Sequence, residues 1–431
     1  TALGLAQQGA GDHANALTHL QAALGYFSDG TLSDQTERGA LVLALGKSQV
    51  RLNDRAGARH TFTQALDWLR ARQDRLHEAE ALHLLGTVEN VDGNRAEAVA
   101  LWMQAIRLFE SEGRAALAAR VLCDLGNARR MQGDLNAAMA DFENALVMLG
   151  SMDDQVTRGL VLSNAANLYT QVGDLETAEA FYTDAINIAR DLRDVHSEGI
   201  RQGNLAWYYV QTGRPSKALD LFEQALSITR KLDDPLLVAI QTNNQAYARA
   251  QQGEPEAALQ GYAEAQTALE RLEAVRWMGV LRANRGETLT ALGRLEAAES
   301  ELLAALEISQ AQHDRENLIR ARYRLAALYL RQGRLEAVEG LALEAYEDAR
   351  RIGYKRAQAA AAQVAAELYL ARDDRQNALR YLSDAVRNFQ IMRDPASREL
   401  AARLHALQNP AAPVQAPATT EAEDPQPYDE A

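Results

Sequence analysis

The sequence predicts an all-α protein built as a stack of repeated helical hairpins. Composition is one reason: the 47% hydrophobic fraction consists largely of Ala and Leu, and only 6% of residues are aromatic. Ala and Leu, like the abundant Arg, Glu and Gln, favour helices. The other reasons are a column of small residues at 40-residue spacing and a column of turn-forming residues seven positions after it.

The small residues define the reference position of each repeat. They recur every 40 residues, at Gly46, Gly86, Gly126, Ala166, Ala206, Ala246, Gly286, Ala326 and Ala366. Seven positions later stand residues that tolerate a left-handed backbone conformation: Asn53, Gly93, Gly133, Gly173, Gly213, Gly253, Gly293, Gly333 and Asp373. The chain start fits the same frame with Gly4 and Gly11. We therefore expect about ten units, each a helix, a tight turn and a second helix.

The second helix of each unit carries its own pattern. Nineteen positions after the reference every repeat has Ala, and sixteen positions after it most repeats have a large apolar residue. Pro215 and Pro255 stand where second helices should begin, and Pro235 and Pro395 stand where first helices should begin. One hairpin cannot bury its apolar face alone, so the units must stack into a solenoid.

These columns resemble the tetratricopeptide repeat (TPR), and LGNARRMQGDLNAAMADFENAL (125–146) is close to its consensus. The resemblance implies a right-handed superhelical solenoid of about ten helix-turn-helix repeats over residues 1–390. The 40-residue period is similar to that of Leu-Gly-Asn-repeat scaffolds and of maltose-regulator-type sensor domains. Val338, Ala342 and Asp373 depart from the pattern, so the resemblance is weaker in the last two repeats.

The two ends of the chain differ in character. We predict a capping helix at residues 391–408. Residues 409–431 are acidic and rich in Pro and Ala, so we predict that they form a disordered tail. Thr1 falls inside a predicted first helix, so we expect upstream residues and a possible further domain in the full protein.

Charge and composition exclude several classes of partner. The net charge of −14 argues against nucleic acid, and no apolar run is long enough for a membrane span. The single Cys123 excludes an internal disulfide framework and fits a reducing compartment, so we expect a cytoplasmic protein.

No catalytic, cofactor or metal motif is recognisable, and we expect a protein that is not an enzyme and needs no cofactor. Gly9 and Gly11 belong to a repeat turn rather than to a phosphate loop, because no strand precedes them and no Lys follows. His77 and His83 are six positions apart, which does not place them on one helix face. The pairs Asp153-Asp154 and Asp233-Asp234 are interpreted as helix caps or solvated loop charges, and Cys123 as a buried packing residue.

The resemblance implies that first helices line a concave groove that binds a protein or peptide. Two positions before the reference, four successive repeats have an asparagine: Asn164, Asn204, Asn244 and Asn284. Such a ladder can hydrogen-bond a peptide backbone, or it can serve packing between helices. Both interpretations stay open.

One position after the reference, Asn167 is followed in successive repeats by Trp207 and Tyr247. Trp and Tyr are frequent energetic centres of interfaces, so we hypothesise an apolar binding platform in the groove. The alternative is that both rings pack against neighbouring helices.

Arg320 and Arg324 occupy groove columns further on. They resemble half of the two-carboxylate clamp by which some TPR domains hold acidic peptide C-termini. The matching earlier columns hold Asn243 and Tyr247 instead of a Lys and an Asn. Solvated surface arginines are therefore the favoured interpretation.

The leading functional hypothesis is a non-catalytic scaffold or adaptor that binds a protein or peptide in the groove. The alternative is a sensor module of a larger signalling protein, in which an upstream ATPase or DNA-binding domain responds to the solenoid.

Overall fold

The computed structural model describes residues 2–9, 12–28, 35–52, 54–150, 154–232 and 234–409. The predicted tail residues 410–431, the turn residues Gly11 and Asn53, and Asp153 and Asp233 lie outside this part of the chain. Within it the regular elements are helices and there is no strand, which confirms the all-α class. No helix of the described residues is long and apolar enough to cross a bilayer.

Twenty-one helices make up the described ranges: α1 (Ala2–Gly9), α2 (His13–Ser28), α3 (Gln35–Arg51), α4 (Arg55–Ala71), α5 (Arg75–Val91), α6 (Arg95–Ser111), α7 (Ala115–Gln132), α8 (Leu135–Leu149), α9 (Gln155–Val172), α10 (Leu175–Asp191), α11 (Val195–Gln211), α12 (Pro215–Thr229), α13 (Pro235–Gln252), α14 (Pro255–Arg271), α15 (Val275–Ala291), α16 (Leu295–Ala311), α17 (Arg315–Arg331), α18 (Leu335–Arg351), α19 (Lys355–Ala371), α20 (Arg375–Ile391) and α21 (Ala396–Gln408). Odd-numbered helices from α1 to α19 are the first helices of ten repeats, and even-numbered helices are the second helices. Each packs against the next along the chain, as the hairpin stack predicted.

The ends of the helices follow the predicted chemistry. Every described residue of the turn column, from Gly93 to Asp373, has a positive φ. Asp154 and Asp234 cap α9 and α13 by accepting hydrogen bonds from the backbone N–H of Thr157 and Leu237. Prolines occupy the first turn of α12, α13 and α14. The sequence pattern did not reveal the non-glycine residues with positive φ in connections between repeats: Gln73, Arg193, Glu273, His313 and Arg393.

The small reference column exists because a large side chain from the second helix occupies the space beside it. A Cβ atom added at Gly86 would lie 2.7 Å from the indole of Trp102, and one at Gly286 would lie 2.6 Å from Leu302. Trp102 and Leu302 are almost completely buried. Small-to-large contacts of this kind therefore recur in several hairpins of the solenoid.

The solenoid also folds back on itself, and we call this junction the edge contact. The loops at Gly133, Gly173 and Gly213, between the helices of repeats 4 to 6, lie against the connections at residues 351–353 and 391–395. The two edges are separated by about four and a half to five and a half repeats along the chain, so one superhelical turn is complete where they meet.

Polar contacts join the two sides of the edge contact. The Gln171 Nε2 donates to the carbonyl oxygen of Ile352 at 2.5 Å, and this bond is buried. Arg356 on α19 donates to the carbonyl oxygen of Gln211 at the end of α11. The edge contact therefore closes the interior of the superhelix over repeats 4 to 10.

Candidate functional site: the inner cavities

Two cavities lie inside the closed superhelix, and residues of first helices line most of both. The wide cavity, of about 240 Å³, includes Asn204 and Asn244 in its wall. The narrow cavity, of about 110 Å³, includes Asn167. Trp207 and Arg320 line both cavities, so five of the nine predicted groove residues converge on this space.

Trp207 on α11 is half-buried and borders both cavities. Its ring lies 5.8 Å from the ring of Tyr247, centroid to centroid, in a tilted arrangement. The predicted aromatic pair is therefore a physical contact, and the indole of Trp207 faces the interior space.

Tyr247 departs from the expectation of an exposed platform, because only 7% of it is accessible. The Arg324 guanidinium lies over its ring at 5.4 Å, and its hydroxyl donates to Glu287 at 3.1 Å. Burial, and next the negative charge of Glu287, raise the pKa of Tyr247 above its ordinary range. Tyr247 thus packs against Trp207 without lining either cavity.

Arg324 corrects a second expectation, that of a solvated surface arginine. It is 4% exposed, and its Nε lies 2.6 Å from Glu287. Its Nη1 donates to the amide oxygen of Asn284 at 3.1 Å, and Asn284 is itself fully buried. Arg324 and Asn284 therefore belong to the wall of the superhelix and line neither cavity.

The asparagine ladder makes hydrogen bonds between neighbouring first helices. The Nδ2 atoms of three of its members donate to the preceding repeat: Asn164 to the Cys123 Sγ (3.2 Å), Asn204 to the Ser163 Oγ (3.3 Å) and Asn284 to the Asn243 Oδ1 (3.4 Å). Asn244 accepts from the neighbouring Asn243 at 3.0 Å. These bonds support the packing interpretation, and a ligand contact by Asn204 or Asn244 stays a prediction.

The Asn167 side chain also makes hydrogen bonds within the protein. Its Nδ2 donates to the carbonyl oxygen of Ser163 at 3.1 Å, and its Oδ1 accepts from the Tyr182 hydroxyl at 2.8 Å. The amide is therefore held in one orientation where it borders the narrow cavity.

Charged residues that the sequence reasoning missed complete the narrow cavity. Arg130 comes from α7, Glu316 from α17 and Arg356 from α19. The Arg130 Nη1 lies 3.2 Å from Glu316, and the Arg356 Nη1 lies 2.6 Å from Asp394. These residues are far apart in sequence and meet through the edge contact, so no repeat column pointed to them.

Paired helices, a left-handed turn in each pair of repeats 3 to 10 and an enclosed interior define a helical-repeat solenoid. The family profile described as Tetratricopeptide repeat matches residues 157–231, and a second profile with the same description matches residues 281–312. The chain therefore contains tetratricopeptide repeats, as its residue columns predicted. No curated protein sequence matches the chain.

Several solved structures have a similar fold. A Rap protein complexed with competence and sporulation factor is 15% identical, with 87% of this chain and 98% of that chain covered and a TM-score of 0.54. The apo form of RapI is 12% identical, with 82% and 97% covered and a TM-score of 0.52. A signal transduction ATPase with a TPR sensor from Pyrococcus horikoshii is 14% identical, with 80% and 55% covered and a TM-score of 0.46. At these identities the similarity concerns the fold alone.

Proposed function

We propose that this chain is a non-catalytic scaffold or adaptor that binds a protein or peptide in the inner cavities, with Trp207 as the central contact. The carrying observation is that the half-buried indole of Trp207 borders both cavities. A large, rigid ring in a concave site supplies contact area at little entropic cost.

The surroundings of Trp207 fit this role. Asn167, Asn204 and Asn244 border the cavities with amide groups, and Arg320 supplies a cation. The other four predicted groove residues line neither cavity, and their hydrogen bonds join neighbouring first helices: Asn164, Tyr247, Asn284 and Arg324. The Rap protein complexed with competence and sporulation factor, a protein of similar fold, adds support for ligand binding by this architecture.

The test is affinity selection from a random peptide library. Wild-type protein and the Trp207→Ala variant are immobilised at equal amounts, and the retained peptides are identified by mass spectrometry. We expect the variant to lose the peptides that wild-type protein retains, because an interface tryptophan typically contributes about 2 kcal/mol or more, some thirtyfold in affinity.

Trp68→Ala is the matched control. Trp68 is also half-buried, but it lies on α4 and lines neither inner cavity. Circular dichroism melting establishes that both variants fold. Retention of the same peptides by wild-type protein and by a folded Trp207→Ala variant would contradict the proposal.

The edge contact favours a second candidate, the sensor module of a larger signalling protein. The narrow cavity takes its walls from both sides of the edge contact, so ligand binding there is coupled to the spacing of the two edges. The sequence of the full-length gene tests this reading, because a sensor requires an effector domain beyond the solenoid.

A further inference from the structure

A third cavity, of about 550 Å³, is larger than either inner cavity and shares no lining residue with them. We call it the edge pocket, because its walls come from the two sides of the edge contact. One wall consists of α10, the end of α11 and the turn that follows, and the other is the connection between α20 and α21, with Arg393 and Pro395. A Cβ added at Gly213 would lie 2.6 Å from the Cδ of Pro395, so the two walls are in contact there. The volume is within the range of about 300–1000 Å³ that is typical of pockets for small ligands.

Part of the polar lining is already neutralised within the protein. The Glu179 carboxylate accepts from the Tyr209 hydroxyl at 2.8 Å and from the Arg214 Nη1 at 2.9 Å. The Tyr208 hydroxyl donates to the carbonyl oxygen of Leu175 at 2.7 Å. These bonds fix the wall formed by α10 and α11 and cancel the charges of Glu179 and Arg214.

Three other charged residues of the lining have no such partner. Glu176 and Asp184 belong to α10, and no cation of the described residues lies within 4.0 Å of either carboxylate. Arg393 belongs to the other wall, and no carboxylate in the same part of the chain lies within 4.0 Å of its guanidinium. Unpaired charges of opposite sign therefore line the two walls of one cavity. Because carboxylates outnumber guanidiniums in the lining by three to two, the edge pocket favours a ligand with one net positive charge.

The backbone fixes the spacing of these charges. Glu176, Ala180 and Asp184 are four positions apart and share one face of α10, so the acidic residues are separated by two turns, about 12 Å along the helix axis. Arg393 lies in a tight turn, where it has a φ of 49° and its N–H donates to the carbonyl oxygen of Gln390 at 3.0 Å. A ligand that pairs with both carboxylates through bonds of about 2.8 Å therefore needs two cationic groups about 6 Å apart.

We propose that the edge pocket binds a free basic amino acid such as lysine. The two ammonium groups of lysine are six bonds apart, roughly 6–7 Å in an extended chain, and pair with Glu176 and Asp184. Its carboxylate pairs with Arg393, whose planar fork of donors matches two carboxylate oxygens. The small side chain of Ala180, between the acidic residues, leaves space for the aliphatic stem. Lysine has one net positive charge at pH 7, so the complex is neutral.

Such a ligand would hold the two walls of the edge pocket together. Its ammonium groups bind α10 in repeat 5, and its carboxylate binds the connection that follows repeat 10. A ligand that binds only the closed superhelix stabilises that state, so the amino acid would strengthen the edge contact. The inner cavities take no part in this binding, which is therefore independent of the proposed function.

Isothermal titration calorimetry on the whole chain tests the edge pocket, at about 0.15 M salt so that unspecific ion pairing is screened. The probes are L-lysine and three analogues that each lack one charge: Nα-acetyl-L-lysine, cadaverine and L-norleucine. Wild-type protein is compared with Asp184→Asn and Arg393→Gln. Asp191→Asn and Arg398→Gln are matched controls, because these exposed residues lie on α10 and α21 outside the edge pocket.

We expect wild-type protein and both controls to bind one lysine, and to bind each analogue about tenfold more weakly, as for the loss of one charge-assisted hydrogen bond. Asp184→Asn and Arg393→Gln should bind lysine more weakly by a similar factor. Arg393→Gln should show no further loss with cadaverine, because cadaverine lacks the carboxylate that Arg393 binds. Lysine should raise the melting temperature of wild-type protein more than that of Arg393→Gln.

Absence of lysine binding by wild-type protein would overturn the proposal, and so would equal lysine affinity of wild-type protein and Arg393→Gln. Cadaverine that binds as tightly as lysine would exclude the contact with Arg393. Trp207→Ala should bind lysine as wild-type protein does, and loss of lysine binding in this variant, once folded, would overturn the edge pocket as the site. None of these results bears on the proposed function, which is tested by Trp207-dependent retention of peptides.

Discussion

Gly133 and Gly253 offer a direct test of the edge contact, because they occupy the same column of the repeat in different surroundings. Their φ angles are 92° and 95°, so alanine meets the same backbone strain at both positions. A Cβ at Gly133 would lie 2.5 Å from the carbonyl oxygen of Arg351 and 2.7 Å from the Cα of Ile352. A Cβ at Gly253 would meet no atom of the described residues within 4 Å.

The expected difference follows from these contacts. Gly253→Ala should cost about 1–2 kcal/mol through strain alone. Gly133→Ala should add about 1 kcal/mol or more, because backbone atoms must separate by about 1 Å and the bond from Gln171 to the carbonyl oxygen of Ile352 is lost. The same separation should open the narrow cavity, which Arg130 and Arg356 border from opposite sides.

Small-angle X-ray scattering and urea unfolding measure the two effects. We expect a larger radius of gyration and a lower unfolding midpoint for Gly133→Ala than for Gly253→Ala. Identical scattering profiles and equal midpoints for the two variants would refute the edge contact as a feature of the protein in solution.

Two further predictions concern buried groups. Tyr208 is fully buried, and its hydroxyl donates to the carbonyl oxygen of Leu175 at 2.7 Å, so Tyr208→Phe should lower the unfolding free energy by about 1 kcal/mol. Tyr209→Phe, at a more exposed position, should cost less in the same urea titration, and an equal or larger cost would contradict this. Burial raises the pKa of Cys123 to about 12, so iodoacetamide at pH 8 should alkylate native protein about a thousandfold more slowly than urea-unfolded protein, by mass spectrometry. Comparable rates would contradict a buried thiol.

The features predictable from sequence are those that act within one repeat. The contact of Gly86 with Trp102, the left-handed turn at Gly173 and the proline at the start of α12 each involve residues close in the chain. Such local interactions impose the same residue types in every repeat, so the columns report them directly.

Features that span several repeats could not be predicted in this way. Tyr247 stands in a groove column, but Arg324 from two repeats further on and Glu287 from the next repeat cover it. The edge contact depends on small rotations that accumulate over successive repeats, and no single column encodes their sum. Gly133 and Gly253 therefore look identical in the sequence, although among the described residues only Gly133 has atoms of another repeat within 4 Å of its Cβ position.

The edge contact also changes how the chain should come apart. In a simple repeat protein each unit touches only the units beside it, so unfolding can start at either end and spread stepwise. Here the last two repeats also hold the middle of the chain, through Ile352 and Arg356. Deleting residues 352–431 would therefore loosen α9 and α11 although no residue of either helix is removed. In this protein, loss of binding after a C-terminal truncation would therefore not show that the ligand binds at the C-terminus.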